Sequence, residues 1–136
     1  MAAVALEGFA ELTVRLREAR KGAATPQEAL VDVAAAYAGF ADQRPALYDA
    51  MFTLSTELSF DGADGPMPPR DAFGELEETI RPLAGERDVE ALAETFWSAL
   101  HGLVMLTRNR RLRPGQERRR LELLVGRFAL GPIRRA

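Results

Sequence analysis

Residues 89–107 read VEALAETFWSALHGLVMLT, and the predicted fold is organised around this stretch. On a helical wheel its apolar side chains spread over more than half of the circumference: Leu92, Ala93, Phe96, Leu100, Leu103 and Val104. A helix that packs on one surface needs a single apolar stripe, so this wide apolar girth predicts a helix covered from several sides. The remaining strip includes Thr95, Ser98 and Gly102, which are small enough for a second helix to approach closely. The stretch is therefore predicted to pack against its own domain on one side and a partner on another.

The composition is typical of one soluble domain. The 136 residues are 47% hydrophobic and 28% charged, and the chain is large enough to bury a core, so residues 1–136 are predicted to form a single domain. No apolar run approaches the roughly 20 residues of a membrane span. The first residues lack the basic segment of a secretory signal, so a cytoplasmic protein with no membrane contact is expected. The absence of cysteine excludes disulfides and thiolate chemistry.

Helical periodicity recurs along the rest of the chain, and β-alternation does not compete with it in the first half. The first predicted helix runs from Ala2 to Arg20 and is stopped by Gly22, and the second ends near Arg44. The third begins at Pro45 and carries Leu47, Tyr48, Met51, Phe52 and Leu54. The fourth runs from about Arg70 to Leu83 and is ended by Pro82 and Gly85; the helix of 89–107 follows, and a last helix runs from Pro114 to about Leu130. Thr25-Pro26-Gln27-Glu28 is a capping box that begins the second helix. The turn-rich residues 60–69 are predicted to be a surface loop. Six helices without a strand predict the all-α class.

Three short stretches resemble one known family. They are Tyr37-Ala38-Gly39-Phe40-Ala41 with Arg44-Pro45-Ala46-Leu47-Tyr48, then Met51-Phe52, and then Trp97-Ser98-Ala99-Leu100-His101-Gly102. With them the chain resembles the C-terminal ligand-binding and dimerisation domain of TetR-family transcriptional repressors, in the subgroup with a Trp-x-x-x-His-Gly motif. The resemblance implies a six-helix bundle whose last two helices form a four-helix bundle with those of a second copy. It also implies that a small-molecule effector entering between the first five helices shifts the first helix.

The same resemblance raises a question about DNA binding. TetR-family proteins begin with a helix-turn-helix domain, and this sequence starts at what would be the helix joining that domain to the core. The chain is therefore expected to contain no DNA-binding domain and to bind no DNA directly. A late gene start, a trimmed chain and a natural headless relative are all compatible with the sequence.

A set of mostly aromatic residues could line a ligand cavity between the helices. Its members are Tyr37, Phe40, Phe52, Phe73, Leu76, Trp97, His101 and Met105. Few polar groups converge there, so the expected ligand is small and mostly apolar. The alternative is that these side chains fill the core. His101, the only histidine, is either a polar anchor for the ligand or a histidine hydrogen-bonded at a helix interface. A lone histidine is a poor metal site, and no metal or other cofactor is expected.

Two further groups of residues each have two interpretations. The first is predicted to form a homodimer interface, with packing inside one chain as the alternative: Thr95, Ser98, Gly102, Leu121, Leu124, Val125 and Phe128. The second is a run of arginines, which could contact phosphates or form a solvated helix end: Arg108, Arg110, Arg111, Arg113, Arg118, Arg119 and Arg120. No aromatic residues are interleaved with these arginines, so the solvated interpretation is favoured.

The function predicted from these observations is effector binding and dimerisation in a TetR-like regulator. The alternative is an interaction protein without the helix-turn-helix domain that forms mixed dimers with full-length regulators. Catalysis is not expected, because the sequence has no Ser/His/Asp set, no glycine-rich phosphate loop, no metal cluster and no cysteine nucleophile.

Overall fold

The computed structural model describes residues 2–52 and 67–129, and within these ranges the chain forms six α-helices and no strand. The helices are α1 (Ala2–Gly22), α2 (Pro26–Gln43), α3 (Pro45–Phe52), α4 (Met67–Ala84), α5 (Val89–Arg108) and α6 (Glu117–Ala129). The all-α class is therefore confirmed. Within the described ranges, no helix combines the length and the apolar character needed to cross a membrane. The predicted position of Leu54 and most of the predicted loop, residues 60–66, lie outside these ranges.

Local capping signals set the start of two helices. The Thr25 side chain accepts a hydrogen bond from the Glu28 backbone N–H at 3.1 Å, and Pro26 occupies the first turn, as the capping box predicts. The Glu28 carboxylate reaches back to the backbone N–H of Ala24 at 3.3 Å instead of to that of Thr25. Asp88 caps α5 in the same way, accepting from the Ala91 N–H at 3.1 Å.

The predicted boundaries of α4 and α6 differ from the structure. Helix α4 begins at Met67, so residues 67–69 belong to a helix and not to the loop, and it runs past Pro82 to Ala84. Proline is tolerated in the first turn because the N–H groups there have no partner within the helix. Helix α6 begins at Glu117 and not at Pro114, because Gly115 takes a backbone φ of +78°, which a right-handed helix cannot include.

The most enclosed helix is α2 and not α5. Helix α2 contacts each of the other five helices, and it buries seven residues, among them Tyr37 and Phe40. Helix α5 buries a single stripe of Ala93, Phe96, Leu100 and Val104, while the flanking Leu92 and Leu103 stay half-buried. Within one chain, α5 is therefore covered on one side only, and part of its wide apolar girth is left partly exposed.

An ion-pair cluster joins α1 to α4. The Glu75 carboxylate is almost fully buried, and its two oxygens accept hydrogen bonds from Arg17 at 2.9 Å and from Arg20 at 2.8 and 3.0 Å. Bonds from both guanidinium groups offset the loss of hydration that burial of the carboxylate entails. The cluster fixes how α1 lies on α4.

Candidate functional site

A hydrogen-bonded network of four side chains links α2, α3 and α5. The Trp97 indole Nε1 donates to the Tyr37 hydroxyl at 3.0 Å, the Tyr37 and Tyr48 hydroxyl oxygens are 2.6 Å apart, and the Tyr48 oxygen is 2.6 Å from His101 Nδ1. We call these four residues the tyrosine network. Trp97 and His101 stand one helical turn apart on α5, so both reach the same side of that helix. The network brings together three predicted ligand residues, Tyr37, Trp97 and His101, and one that was not predicted, Tyr48.

Burial keeps the network uncharged. Both tyrosine side chains are fully buried, and burial raises the pKa of each phenol far above its ordinary value of 10.0. For Tyr37, the hydrogen bonds with Tyr48 and Trp97 oppose this rise without cancelling it. The half-buried His101 has its pKa lowered from 6.5 by burial, because the charged imidazolium would lose hydration. At neutral pH all four side chains are therefore neutral.

A small open pocket adjoins the network. Its lining residues are Phe52, Trp97, Ser98 and His101, and its volume is about 170 Å³. The Phe52 ring lies 4.7 Å from the His101 ring and 6.1 Å from the Trp97 ring, so two walls of the pocket are aromatic. We call this the aromatic pocket. It combines apolar walls with a few polar groups, which is the usual make-up of a small-molecule site.

The other predicted ligand residues do not line the aromatic pocket. Phe40 and Leu76 are buried in the core. Phe73 is buried behind Trp97, with the two ring centres 5.9 Å apart. Met105 packs half-buried against the core. Tyr37 reaches the pocket only indirectly, through its hydrogen bonds to Trp97 and Tyr48.

A larger cavity of about 430 Å³ lies between α2, α5 and α6. We call it the groove. It is lined by Ala38, Gly39, Ala41, Asp42, Leu100, Leu103, Val104, Thr107, Arg108, Glu117, Arg120 and Leu121. None of the predicted ligand residues lines it. The small residues Ala38 and Gly39 leave the space open, and their positions on α2 are the only signal in the sequence that could have indicated it.

Two arginines at the groove each keep one nitrogen unpaired. In the described part of the chain, the Nη1 atoms of Arg108 and Arg120 are buried without a hydrogen-bond partner. Arg108 is held by Nη2, which donates to the Asp49 carboxylate at 2.8 Å, and Arg120 donates through Nη2 to the Arg113 carbonyl. The groove also contains the carboxylates of Asp42 and Glu117, so both signs of charge are present.

The residues of the predicted dimer interface fall into two groups. Thr95 and Ser98 are exposed on α5, and their hydroxyls donate to carbonyls one turn earlier on the same helix, each at 2.8 Å. Gly102 is half-buried, and a Cβ added to it would meet no neighbouring atom within 4 Å. The four residues of α6 instead pack on the core of their own chain: Leu121, Leu124, Val125 and Phe128. Phe128 stacks edge-on against Phe96 at 5.0 Å, and Leu123, which was not predicted, is 60% exposed.

The arginines of the run differ in their partners and in their exposure. Arg108 is paired with Asp49 in α3, whereas Arg118 is paired with Glu122 on its own helix and is 94% exposed. Arg110 has a backbone φ of +56° in the turn after α5. In the described residues there is no group of three or more His, Cys, Asp or Glu side chains that could hold a metal ion.

Comparison with known proteins places the chain in a family. The family model named Tetracyclin repressor-like, C-terminal domain matches residues 30–128, which is well over half of the sequence, so the chain belongs to this family. The family consists of the C-terminal domains of regulators. No curated protein matches the sequence.

A solved structure has the same fold. It is described as a protein with unknown function from Rhodococcus sp. RHA1, and its TM-score with this chain is 0.74. The match covers 94% of this chain and 70% of the other, at 18% sequence identity. At this identity the similarity shows the fold alone.

Proposed function

We propose that the chain is the effector-binding and dimerisation domain of a TetR-like transcriptional regulator and that it senses a small, mostly apolar molecule. The observation that carries the proposal is the tyrosine network, a set of paired polar side chains that runs from the buried core to the edge of the aromatic pocket. Buried polar groups need partners with good geometry, so such a network holds its members in fixed orientations. Fixed polar groups beside apolar walls are what a selective small-molecule site requires.

The aromatic pocket and the groove compete as the effector site. Volume favours the groove, since about 430 Å³ lies within the usual range for ligand sites and about 170 Å³ does not. Chemistry favours the aromatic pocket, where the rings of Phe52 and Trp97 and the polar edge of His101 meet in one place. The groove is also largely apolar, but its lining adds two carboxylates and two guanidinium groups, whose burial under a mostly apolar molecule would cost hydration. We assign the effector to the aromatic pocket.

Phe52 provides a mechanical link from this pocket to α1. Its ring borders the pocket and also lies 5.4 Å from the Phe9 ring in α1. Helices α1 and α3 approach closely here, because a Cβ on Gly8 would lie 2.6 Å from the Met51 side chain. A molecule that displaces Phe52 would therefore press on α1. Such a ligand shifts the position of α1 only through different affinities for the two arrangements.

The outer face of α5 supports homodimerisation. Apolar side chains cover a wider part of the α5 surface than the stripe that its own chain buries. The small residues on this outer face would allow a second helix to approach closely. Ser98 belongs both to this face and to the lining of the aromatic pocket, so effector binding and dimerisation would meet on α5.

We further propose that the chain acts in the cytoplasm and binds no DNA by itself. A mobility-shift assay in which the chain alone binds a specific DNA sequence would contradict the last point.

A ligand screen tests the effector proposal. Compounds that bind only the folded chain raise its melting temperature, and the single tryptophan, Trp97, reports their arrival through its fluorescence. We expect hits to be small and mostly apolar and to lose their effect in Phe52→Ala. The matched control is Leu103→Ala, which enlarges the groove and should leave these hits unaffected. Hits that respond to Leu103→Ala and not to Phe52→Ala would contradict the assignment.

A pair of glycine substitutions tests the dimer. Among the described residues, a Cβ at Gly102 or at Gly74 has no contact within 4 Å beyond its chain neighbours and the backbone of its own helix, and both glycines lie inside helices. Arginine is a better helix former than glycine, so neither change should unfold the chain. We expect Gly102→Arg to yield monomers in light scattering and Gly74→Arg to remain dimeric. A wild-type monomer, or a dimer that persists in Gly102→Arg, would contradict the proposal.

A further inference from the structure

The direction of each hydrogen bond in the tyrosine network follows from the number of hydrogens available. The indole of Trp97 is a donor only, so the Tyr37 oxygen accepts from it. Two contacts remain, between the two phenols and between Tyr48 and His101 Nδ1, and each needs one hydrogen. Each phenol supplies one.

Only one arrangement uses both phenolic hydrogens. In it, Tyr37 donates to Tyr48 and Tyr48 donates to His101 Nδ1. If His101 donated from Nδ1 instead, the Tyr48 oxygen would accept that hydrogen, and the hydroxyl hydrogen of either Tyr37 or Tyr48 would have no acceptor among the described residues. Both phenols are fully buried, and a buried hydroxyl without a hydrogen-bond partner destabilises the fold. The network therefore selects the form of His101 whose Nδ1 accepts.

A histidine whose Nδ1 accepts carries its hydrogen on Nε2 when the ring is neutral. No described residue accepts a hydrogen bond from this N–H. The Nε2 atom is not fully buried, so solvent or a ligand can reach it. His101 borders the aromatic pocket together with Phe52 and Trp97. The pocket thus has one fixed donor between aromatic walls.

We infer that the effector carries an uncharged hydrogen-bond acceptor, such as a ketone oxygen, on a single aromatic ring, and that it accepts from His101 Nε2–H. This inference rests on the proposed function and gives its ligand a chemical class. Tyr37 and Tyr48 act as positioning residues, since they hold the imidazole in one tautomer without touching the ligand. A volume of about 170 Å³ fits one ring, because an apolar cavity of about 150 Å³ is known to hold benzene. A simple alkylammonium group has donors and no acceptor, so it would face another donor at His101.

Nitrogen-15 NMR of the ring tests the tautomer directly, because the chain has a single histidine and its signals need no assignment. At neutral pH we expect Nδ1 to be unprotonated and Nε2 to carry the hydrogen. Tyr48→Phe removes the donor and should populate the Nδ1–H form. Tyr37→Phe also deletes one buried hydroxyl but keeps the Tyr48 donor, so it should retain the wild-type tautomer. Circular dichroism checks that both variants are folded.

A second experiment tests the ligand class with three probes of similar size. Acetophenone has a ring and a carbonyl acceptor, α-methylstyrene replaces that oxygen by CH₂, and benzylamine is a cation at neutral pH. Their binding is followed by the ring signals of Trp97 and His101. One hydrogen bond is worth about fivefold in affinity, so acetophenone should bind about five times more tightly than α-methylstyrene. This preference should disappear in His101→Phe.

Each outcome separates this inference from the proposed function. Equal binding of acetophenone and α-methylstyrene would overturn the inference and leave the effector pocket standing. An Nδ1–H tautomer in the wild type, or tighter binding of benzylamine than of acetophenone, would also overturn the inference alone. Absence of any shift at Trp97 and His101 with all three probes would overturn the aromatic pocket as the effector site, and the inference with it.

Discussion

The aromatic pocket and the groove both border α5, and they differ in how their polar groups are paired. Beside the aromatic pocket, Tyr37 and Tyr48 have all of their hydroxyl hydrogens placed in hydrogen bonds of 2.6 Å. Beside the groove, two arginines each keep a buried nitrogen without a partner in the described residues. The groove has more than twice the volume, yet the smaller cavity is the better defined chemically.

This difference has a thermodynamic consequence. Removing one member of a paired buried network leaves its partner without a hydrogen bond, which destabilises the fold. Removing an atom that has no partner creates no such loss. Each prediction below compares the stability of two forms of the chain.

The largest effect is expected for Leu100→Ala. Leu100 is 1% exposed, and it belongs to the core as well as to the lining of the groove. Truncation should lower the free energy of unfolding by about 2–5 kcal/mol, because it removes buried apolar contacts and leaves a void. The control, Leu106→Ala, changes a residue of the same helix that is 45% exposed and should have an effect of at most about 0.5 kcal/mol. Equal effects in urea titrations would show that the groove side of α5 is not part of a packed core.

Tyr48→Phe should have the next largest effect. The substitution removes the acceptor of the Tyr37 hydroxyl and the donor to His101 Nδ1, so the free energy of unfolding should fall by about 1–3 kcal/mol. Tyr37→Phe tests the other end. Tyr48 loses the bond from Tyr37 but keeps its own bond to His101, and the donor left without an acceptor is the indole N–H of the half-buried Trp97, which water can partly satisfy. Its effect should therefore be smaller. A neutral Tyr48→Phe would show that the hydrogen bonds of the network add nothing to stability.

Acidification should weaken the network through His101. Its pKa in the folded chain lies below 6.5 because of burial, so the unfolded chain takes up the proton first as the pH falls. The stabilisation is fully present above pH 6.5 and is lost as the pH falls through the lowered pKa. Urea titrations of wild type and His101→Gln at several pH values isolate this term, because the carboxylates titrate in both. The stability difference should shift against the wild type below pH 6.5; a difference independent of pH would contradict the burial of a neutral ring.

The smallest effect is expected for Arg120→Met at the groove. The substitution keeps an apolar side chain of similar length and removes a guanidinium group whose Nη1 is buried and unpaired. The bond from Nη2 to the Arg113 carbonyl is also lost, but it lies at an exposed position, where water can replace it. The free energy of unfolding should change by no more than about 0.5 kcal/mol, or should rise. Arg119→Met, at an exposed neighbouring position, serves as the reference for a surface change. A loss of more than about 1 kcal/mol relative to this reference would reveal a favourable interaction of Arg120 and remove the contrast between the two cavities.

The sequence predicts the helices well because their signals are local. Thr25 and Pro26 set the start of α2, and the helical spacing of Trp97 and His101 places both on one side of α5. The start of α6 was wrong by three residues, because the proline rule outweighed the turn at Gly115. The sequence did not predict that α2 contacts all five other helices, because the width of a helix's apolar surface does not reveal which helix the others surround.

The candidate site was predicted only in part. The aromatic residues near Trp97 were identified by type, but the partnership of Tyr37, Tyr48 and His101 joins three helices and depends on their packing. The groove is a space between helices, and small residues such as Ala38 and Gly39 look like ordinary packing in a sequence. The predicted dimer face of α5 remains a prediction.

The most direct test of the account asks which cavity holds the effector. The compound with the largest thermal shift is titrated into the protein while the ring signals of Trp97 and His101 and the methyl signals of Leu103 and Leu121 are recorded by NMR. The first two residues border the aromatic pocket, and the second two border the groove. We predict saturable shifts of the Trp97 and His101 rings with little change at the two leucines. Shifts confined to Leu103 and Leu121 would contradict the assignment of the effector to the aromatic pocket.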